Sequence, residues 1–262
     1  MSTNKACNIS TLGQVDGVIK ITKTEDLVYV IDDCSNIYVA SGVYAKFLDN
    51  SQNCKIYLES DINSTVDYVI LDSKNTNRCF TIKGELKINQ IALNDTKESL
   101  NVSLTLENSN CNIKCLSIAS KNKNEFIQRI DHKNKLTSSN ITNVGIVMNK
   151  SDILFDTTGK IEKGMSKSKC SQLSRGIVMD DDSQITAKPI LLIDEYDCFA
   201  NHGASIGKMS DDDLFYLMSR GLTKKDAFLL ILQGIIKPFI DDINIDEWKN
   251  RIDEEIEKLI EK

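Results

Sequence analysis

From about Leu27 to Cys198 the chain is a succession of short runs rich in Ile, Val, Tyr and Thr. Among them are "LVYVI" (27–31), "KIYLES" (55–60), "VDYVIL" (66–71), "LNVSLTLE" (100–107), "NIKCLSIAS" (112–120) and "ILLID" (190–194). Asn, Asp, Ser, Lys and Gly separate them, which is the punctuation of strands and turns. In "NVSLTLE" the alternation is strict: Val102, Leu104 and Leu106 fall on one face, Ser103, Thr105 and Glu107 on the other. Strands of this length and spacing build a sandwich, a barrel or a β-solenoid. Asn and Asp recurring at the turns favour the solenoid, whose corners need residues that tolerate the left-handed region. No clean sequence repeat settles the choice.

The character changes near residue 209. Ser210 precedes Asp211, Asp212 and Asp213, an N-cap followed by acids where the helix dipole favours negative charge. Leu214, Phe215, Leu217 and Met218 supply an apolar face, and Gly221 is a natural stop. Thr223, with Asp226 three residues on, starts a second helix that Pro238 ends or kinks. Ile245, Trp248, Ile252, Ile256 and Leu259 then form an apolar stripe on a third, charged helix. The expected division is a β region over residues 1–208 and a helical domain over 209–262.

Composition excludes several functions. Of 262 residues 41% are hydrophobic, enough for a core, and the net charge is −6 with no dense Lys/Arg cluster, which argues against nucleic acid as a partner. The longest apolar stretch, "AFLLILQGIIKPFI", is broken by Gln233, Gly234, Lys237 and Pro238, so no membrane span is expected. Without an apolar signal core in "MSTNKACNIS" the chain reads as cytoplasmic, its eight cysteines as reduced thiols. Cys111 and Cys115 share a strand face as buried core thiols. "DTTGKIEKG" and "GASIG" lack the spacing of phosphate-binding loops, and no G-x-S-x-G is present. The chain therefore reads as one that does not hydrolyse nucleotide itself.

The acids of "IDEYD" (Asp194, Glu195, Asp197) and "MDDDS" (Asp180 to Asp182) read as solvated corners. Of the two histidines, His132 in "RIDHKNK" reads as a surface residue without a special role. His202 lies at the junction of the two regions, beside Gly203, where another chain or ligand can approach. The residues alone leave His202 open between a structural role and a ligand for iron or zinc.

The stretch "ANHGASIGKMSDDDLFYLMSRGL" (200–222) resembles the C-terminal hallmark of the SufB/SufD family, the Suf iron–sulfur cluster assembly scaffold: a histidine, small residues, Gly, acids, "LFYL" and "SRG" in order. "SQLSRGIVMDDDSQITAKPILLIDEYD" resembles the last coils of that family, Lys188–Pro189 included, so the clear match runs from about Lys169 to Asp241. The resemblance implies a mostly β fold, a right-handed parallel β-helix followed by a small C-terminal α-helical domain. It also implies a scaffold that pairs with a SufB-type subunit, or with itself as a homodimer, and carries a SufC-type ATPase. A transient iron–sulfur cluster or iron would then be shared with the partner. His202 matches the SufD histidine implicated at the SufB–SufD interface. The essential SufB cysteine would fall near Leu173 or Ser174, neither a thiol, so the chain is SufD-like. A cysteine often lies two residues before that histidine; Ala200 holds this position and Cys198 stands two further back. The helix from Asp211 to Arg220 matches the ATPase-docking region, with Asp213, Leu214, Phe215, Leu217, Met218 and Arg220 as candidate contacts. Family members usually carry an N-terminal helical region, and here strand-like sequence begins almost at once. The competing class is a β-solenoid acting on or binding carbohydrate, which the low aromatic content, 6%, and the single Trp disfavour.

Overall fold

In-register stacking of parallel strands organises the molecule. A computed structural model describes residues 8–12 and 17–243, together with Lys249 and Glu254. The first strands are short: β1 (Asn8–Leu12), β2 (Val18–Ile21), β3 (Leu27–Ile31), β4 (Ser35–Val39), β5 (Tyr44–Asp49), β6 (Lys55–Ser60), β7 (Thr65–Leu71) and β8 (Thr76–Ile82). The later ones are longer: β9 (Glu85–Ala92), β10 (Thr96–Leu104), β11 (Asn110–Ser120), β12 (Lys123–His132), β13 (Ser138–Met148), β14 (Asp152–Ile161), β15 (Lys169–Val178), β16 (Gln184–Ile193) and β17 (Phe199–Gly207). Odd strands form one parallel sheet in the order β1-β3-β5-β7-β9-β11-β13-β15-β17, and even strands a second that runs from β2 to β16. Each coil contributes one strand to each sheet, so the fold is a parallel β-helix. Two helices follow, α1 (Asp211–Ser219) and α2 (Lys224–Ile240).

The corners explain the Asn-rich punctuation. Asn53, Asn63, Asn75, Asn108 and Asn149 all have positive φ, a region that Asn enters more readily than most residues with a Cβ. Asn75 donates its side-chain amide to Asn53 one coil below, 2.9 Å away. The coils also lengthen along the chain. Val28 pairs with Lys46, 18 residues on, whereas Ser138 pairs with Lys169, 31 residues on. This widening is why no constant sequence repeat is seen.

Inside the narrow half, the odd sheet stacks Tyr29, Phe47 and Tyr68 with ring centroids 5.7 and 5.6 Å apart, and Phe80 meets Tyr68 from the facing sheet at 5.0 Å. The interior is not wholly apolar. Arg78 is 0% exposed. Its Nε lies 2.7 Å from Asp49 Oδ2, its Nη1 3.2 Å from Glu98 Oε2, and its Nη2 donates to Ser73 Oγ at 2.8 Å. Tyr68 donates to Asp49 at 2.6 Å and Gln90 donates to Glu98. Burial, above all, raises the Glu98 carboxyl, Asp49 adds to the rise, and Arg78 opposes it. In the wide half, Asn143 donates to Gln128 (3.0 Å) and Thr157 (3.3 Å), so the added interior space is filled by a hydrogen-bonded polar layer.

The two helices start as the capping residues imply. Ser210 Oγ accepts from the Asp213 amide at 3.2 Å, and Thr223 Oγ1 from the Asp226 amide at 3.1 Å. Pro238 does not end α2, which runs on to Ile240. The proline sits in the last turn, where its ring costs one hydrogen bond, to Gly234, on the exposed side. Leu232, Ile236, Phe239, Ile240 and Ile243 join the outward residues Ile91, Leu116, Ile118, Val144, Ile146 and Ile177 in one buried cluster, so the helical segment covers the outer face of the odd sheet. Asp242 fixes its end by an ion pair to Lys114 and by accepting from Asn89 at 3.4 Å. The third apolar stripe, from Ile245 to Leu259, lies outside the described residues. No helix among the described residues is long and apolar enough to cross a membrane.

Removing Arg78 strands two buried carboxylates. Arg78→Met is expected to lower the unfolding free energy by about 3–5 kcal/mol in urea titration, the cost typical of breaking a buried pair.

Candidate functional site

The inward column of the odd sheet runs Phe47, Tyr68, Ile88, Ile113, Ile141, Gln172, His202, each residue paired in register with the next. It is apolar until its last two members. His202 therefore points the same way as the core, yet it is exposed, because among the described residues β17 is the last strand of its sheet and pairs with β15 alone. No described group donates to, accepts from or pairs with its imidazole. One strand below, Gln172 is buried, gives its Nε2 to Ile190 O at 3.3 Å and leaves Oε1 without a partner. The open end of the solenoid thus ends in an unsatisfied amide oxygen and a free imidazole.

The last strands and the corner before β17 also carry exposed apolar side chains: Leu173 on β15, Ile190 and Leu192 on β16, Phe199 and Ile206 on β17, and Tyr196 in the corner between. These were missed in the sequence. The signal was present in "ILLI" (190–193), where adjacent residues on both faces are apolar, the pattern of a strand meant to be covered on both sides.

Cys198 occupies the corner before β17 and donates its thiol to Glu195 O at 3.1 Å. Burial raises its pKa, and Glu195 and Asp197 raise it further, the opposite of an activated thiol. It stands in a bend, and the first three residues of β17 separate it from His202. Cys170 is buried, its Sγ filling the space left by the missing side chain of Gly159. Among the described residues no three His, Cys, Asp or Glu side chains converge on a metal position. Asp180 to Asp182 and Asp194 to Asp197 form the corners expected. Glu195 accepts from the amides of Gly164, Tyr196 and Asp197 (2.7, 2.9 and 3.0 Å), and this holds its carboxyl below the usual range.

The α1 candidates divide. Leu214 is buried and Leu217 half-buried, so they pack within the helical segment. Phe215 is 74% exposed, and Tyr216 and Met218 are exposed beside it; Leu230 of α2 is exposed as well. Asp213 is exposed, and Arg220 stacks its guanidinium over the Tyr216 ring at 5.3 Å. Three residues, Lys208 to Ser210, join this helix to the strand that bears His202.

His132 corrects the sequence reading: it is 0% exposed. Its ring nitrogens lie 2.7 Å from Thr137 Oγ1 and 2.9 Å from Ser139 Oγ. Desolvation is the main cause that brings its pKa down to about 4, against a smaller opposing pull from Asp131. Asp131 and Lys133 mislead because they flank it in sequence but point outward; Ile130, two residues away, shares its inward face.

These features define a class: a widening parallel β-helix whose last coil is left open, with a short helical segment appended at that end. The SUF system FeS cluster assembly, SufBD core domain model matches residues 30–235, and the chain belongs to that family. It is 35% identical over 135 residues to the iron-sulfur cluster assembly protein SufD of Bacillus subtilis, 52% of this chain and 31% of the relative. Identity to SufD of Escherichia coli is 24% over 155 residues, 58% of this chain and 37% of the relative. An iron-sulfur cluster assembly SufBD family protein of Pyrococcus horikoshii is 34% identical over 118 residues, 44% and 24%. The matched stretches thus span 24–37% of these relatives, and the chain is a SufD-like member of the family.

His132 makes stability depend on pH. The unfolded imidazole takes its proton near pH 6.5 and the folded one near 4. Between these values the unfolded state binds more protons, so stability falls as pH falls. About 3 kcal/mol is expected to be lost from pH 7 to 4 on this account, measurable as the difference between wild type and His132→Asn in pH-dependent urea unfolding.

Proposed function

We propose that the chain is a SufD-like scaffold subunit for iron–sulfur cluster assembly. It pairs through its open coil with a SufB-type subunit, bears a SufC-type ATPase on α1, and presents His202 to the nascent cluster. The observation that carries this reading is the position of His202: the last member of a core column, exposed and free of partners. One imidazole cannot hold iron alone, and among the described residues no three His, Cys, Asp or Glu side chains gather on a metal position, so the remaining ligands would come from the facing subunit. Soft thiolates from such a partner together with imidazole suit iron–sulfur chemistry.

Two further features support the pairing. Among the described residues the outer edges of β16 and β17 have no neighbouring strand, and such edges are a template for another chain. The exposed apolar residues of β15, β16 and β17 would be dehydrated by a partner that covered these last strands. For the ATPase, Phe215, Tyr216 and Met218 offer an exposed apolar surface with Asp213 and Arg220 on the same helix. Only Leu214 of α1 is buried, whereas α2 is anchored by five side chains. A displacement driven by ATP hydrolysis in the partner would act first on α1 and pass to β17 through the three-residue link. The chain's own part is to position an imidazole and to change its surroundings, not to hydrolyse nucleotide.

Reconstitution with SufB- and SufC-type partners tests both roles. His202→Ala is expected to lower bound iron and acid-labile sulfide about tenfold or more, the scale on which loss of even a supporting partner weakens a metal site. Unchanged iron and sulfide would refute the ligand role. Phe215→Asp is expected to abolish co-purification of the ATPase while leaving unfolding within about 0.5 kcal/mol of wild type, as for other exposed positions. Recovery of the chain with a second copy of itself, and no SufB-type subunit, would replace the heterodimer by a homodimer.

A further inference from the structure

Two thiols lie together in the narrow half of the solenoid, far along the stack from the open coil. Cys34 ends the corner before β4, and Cys54 ends the corner before β6, one coil on. Ser35 pairs with Ile56, so Cys34 stands beside Lys55 and is one residue out of register with Cys54. With strands about 4.8 Å apart and a rise of about 3.3 Å per residue, that diagonal sets the two Cα atoms roughly 6 Å apart; inside a strand such neighbours would face opposite ways, but both residues stand in corners ahead of their strands, where Cys34 turns its sulfur toward the next coil. Disulfides span Cα separations of about 4.4–6.8 Å. The Lys55 amide donates to Cys34 Sγ at 3.4 Å, which lays the sulfur of Cys34 against the peptide that follows Cys54. The two differ in access: Cys34 is exposed and Cys54 is 6% exposed. Cys170 and Cys198 are the nearest comparison. Cys170 pairs with Ala200, so Cys198 is two residues out of register, and the same construction gives about 8 Å, beyond disulfide reach.

We propose that Cys34 and Cys54 are an oxidisable dithiol that closes to a disulfide stapling two successive coils, with a low-molecular-weight disulfide as the oxidant. Cys34 reacts first because it is the exposed thiol. Its proton goes to solvent and the thiolate, which accepts from the Lys55 amide, attacks one sulfur of the small disulfide. That S–S bond breaks and one small thiol leaves as thiolate. Cys54 then loses its proton and attacks Cys34 Sγ in the mixed disulfide. The Cys34–Cys54 bond forms and the second small thiol departs. Two protein thiols are oxidised, one small disulfide is reduced to two thiols, and the two protons end on the leaving groups. Burial is the main cause that raises the Cys54 thiol, with Ser51 opposing it and Cys34 adding to it, so the second step is the slower one near neutral pH.

The test uses the full chain incubated with oxidised glutathione, alkylated after unfolding, digested and analysed by mass spectrometry. Wild type is expected to yield a Cys34–Cys54 peptide pair lighter by two hydrogens than the free thiols. Cys54→Ala is expected to accumulate one glutathione on Cys34, and Cys34→Ala to leave Cys54 unmodified. Persistent glutathione on Cys34 in wild type with Cys54 free would overturn the proposal. So would a bond from Cys34 to any other cysteine, glutathione on Cys54 in Cys34→Ala, or no reaction at Cys34.

Discussion

Backbone pairing from coil to coil is the constraint on which the rest of this molecule depends. Inside the stack a strand has a neighbour on each side, which satisfies its amides and carbonyls and leaves its side chains in columns. A column fixes what a residue can be. Between two coils it is enclosed, and is apolar, as Ile113 is, or held by hydrogen bonds, as Gln128 is through its side-chain oxygen. At the end of the stack that requirement lapses, and a polar residue can point inward without being enclosed. His202 is in that position. It is held by a strand, not by a loop, and its direction is set by the same parity that buries Ile141.

The polar interior follows from the same geometry. As the coils widen, the two sheets enclose more volume than apolar side chains alone occupy. The Gln128–Asn143–Thr157 layer and the His132–Thr137–Ser139 group lie in that wider half. The Arg78 cluster is different. It lies in the narrower half and gathers residues of five strands and corners around one guanidinium. Such a cluster contributes little net stability against a well-packed apolar alternative, but every partner must be in register for its charges to be met. It therefore penalises any slip of one coil against the next.

Much of this was legible in the residues. "LVYVI" and "KIYLES" are β3 and β6 to the residue, and the caps at Ser210 and Thr223 lie where their side chains imply. The parallel β-helix itself came from the resemblance around His202, because coils that grow from 18 to 31 residues leave no period to detect. The burial of His132 was hidden by its charged neighbours, although strict alternation with Ile130 carried the information. Phe215 and Met218 look like Leu214 in a helical pattern; only the packing distinguishes the covered side chain from the bare ones. That the β region ends near residue 208 was legible from the switch to helical signals, and β17 does end at Gly207; which apolar side chains its end leaves exposed was not, since no local pattern says which residues the next coil would have covered.

Helix α2 alters how such a stack can come apart. A solenoid held only by contacts between adjacent coils resembles a one-dimensional chain of weak links, able to fray from either terminus. Here a 17-residue helix of about 25 Å leaves the last coil and turns back along the outer face, and its end is tied to β9 and β11 through Asp242. It bridges coils that do not touch one another. Loss of the final coil would also loosen the cover over earlier ones, so the terminal strand inherits the cooperativity of the middle of the stack.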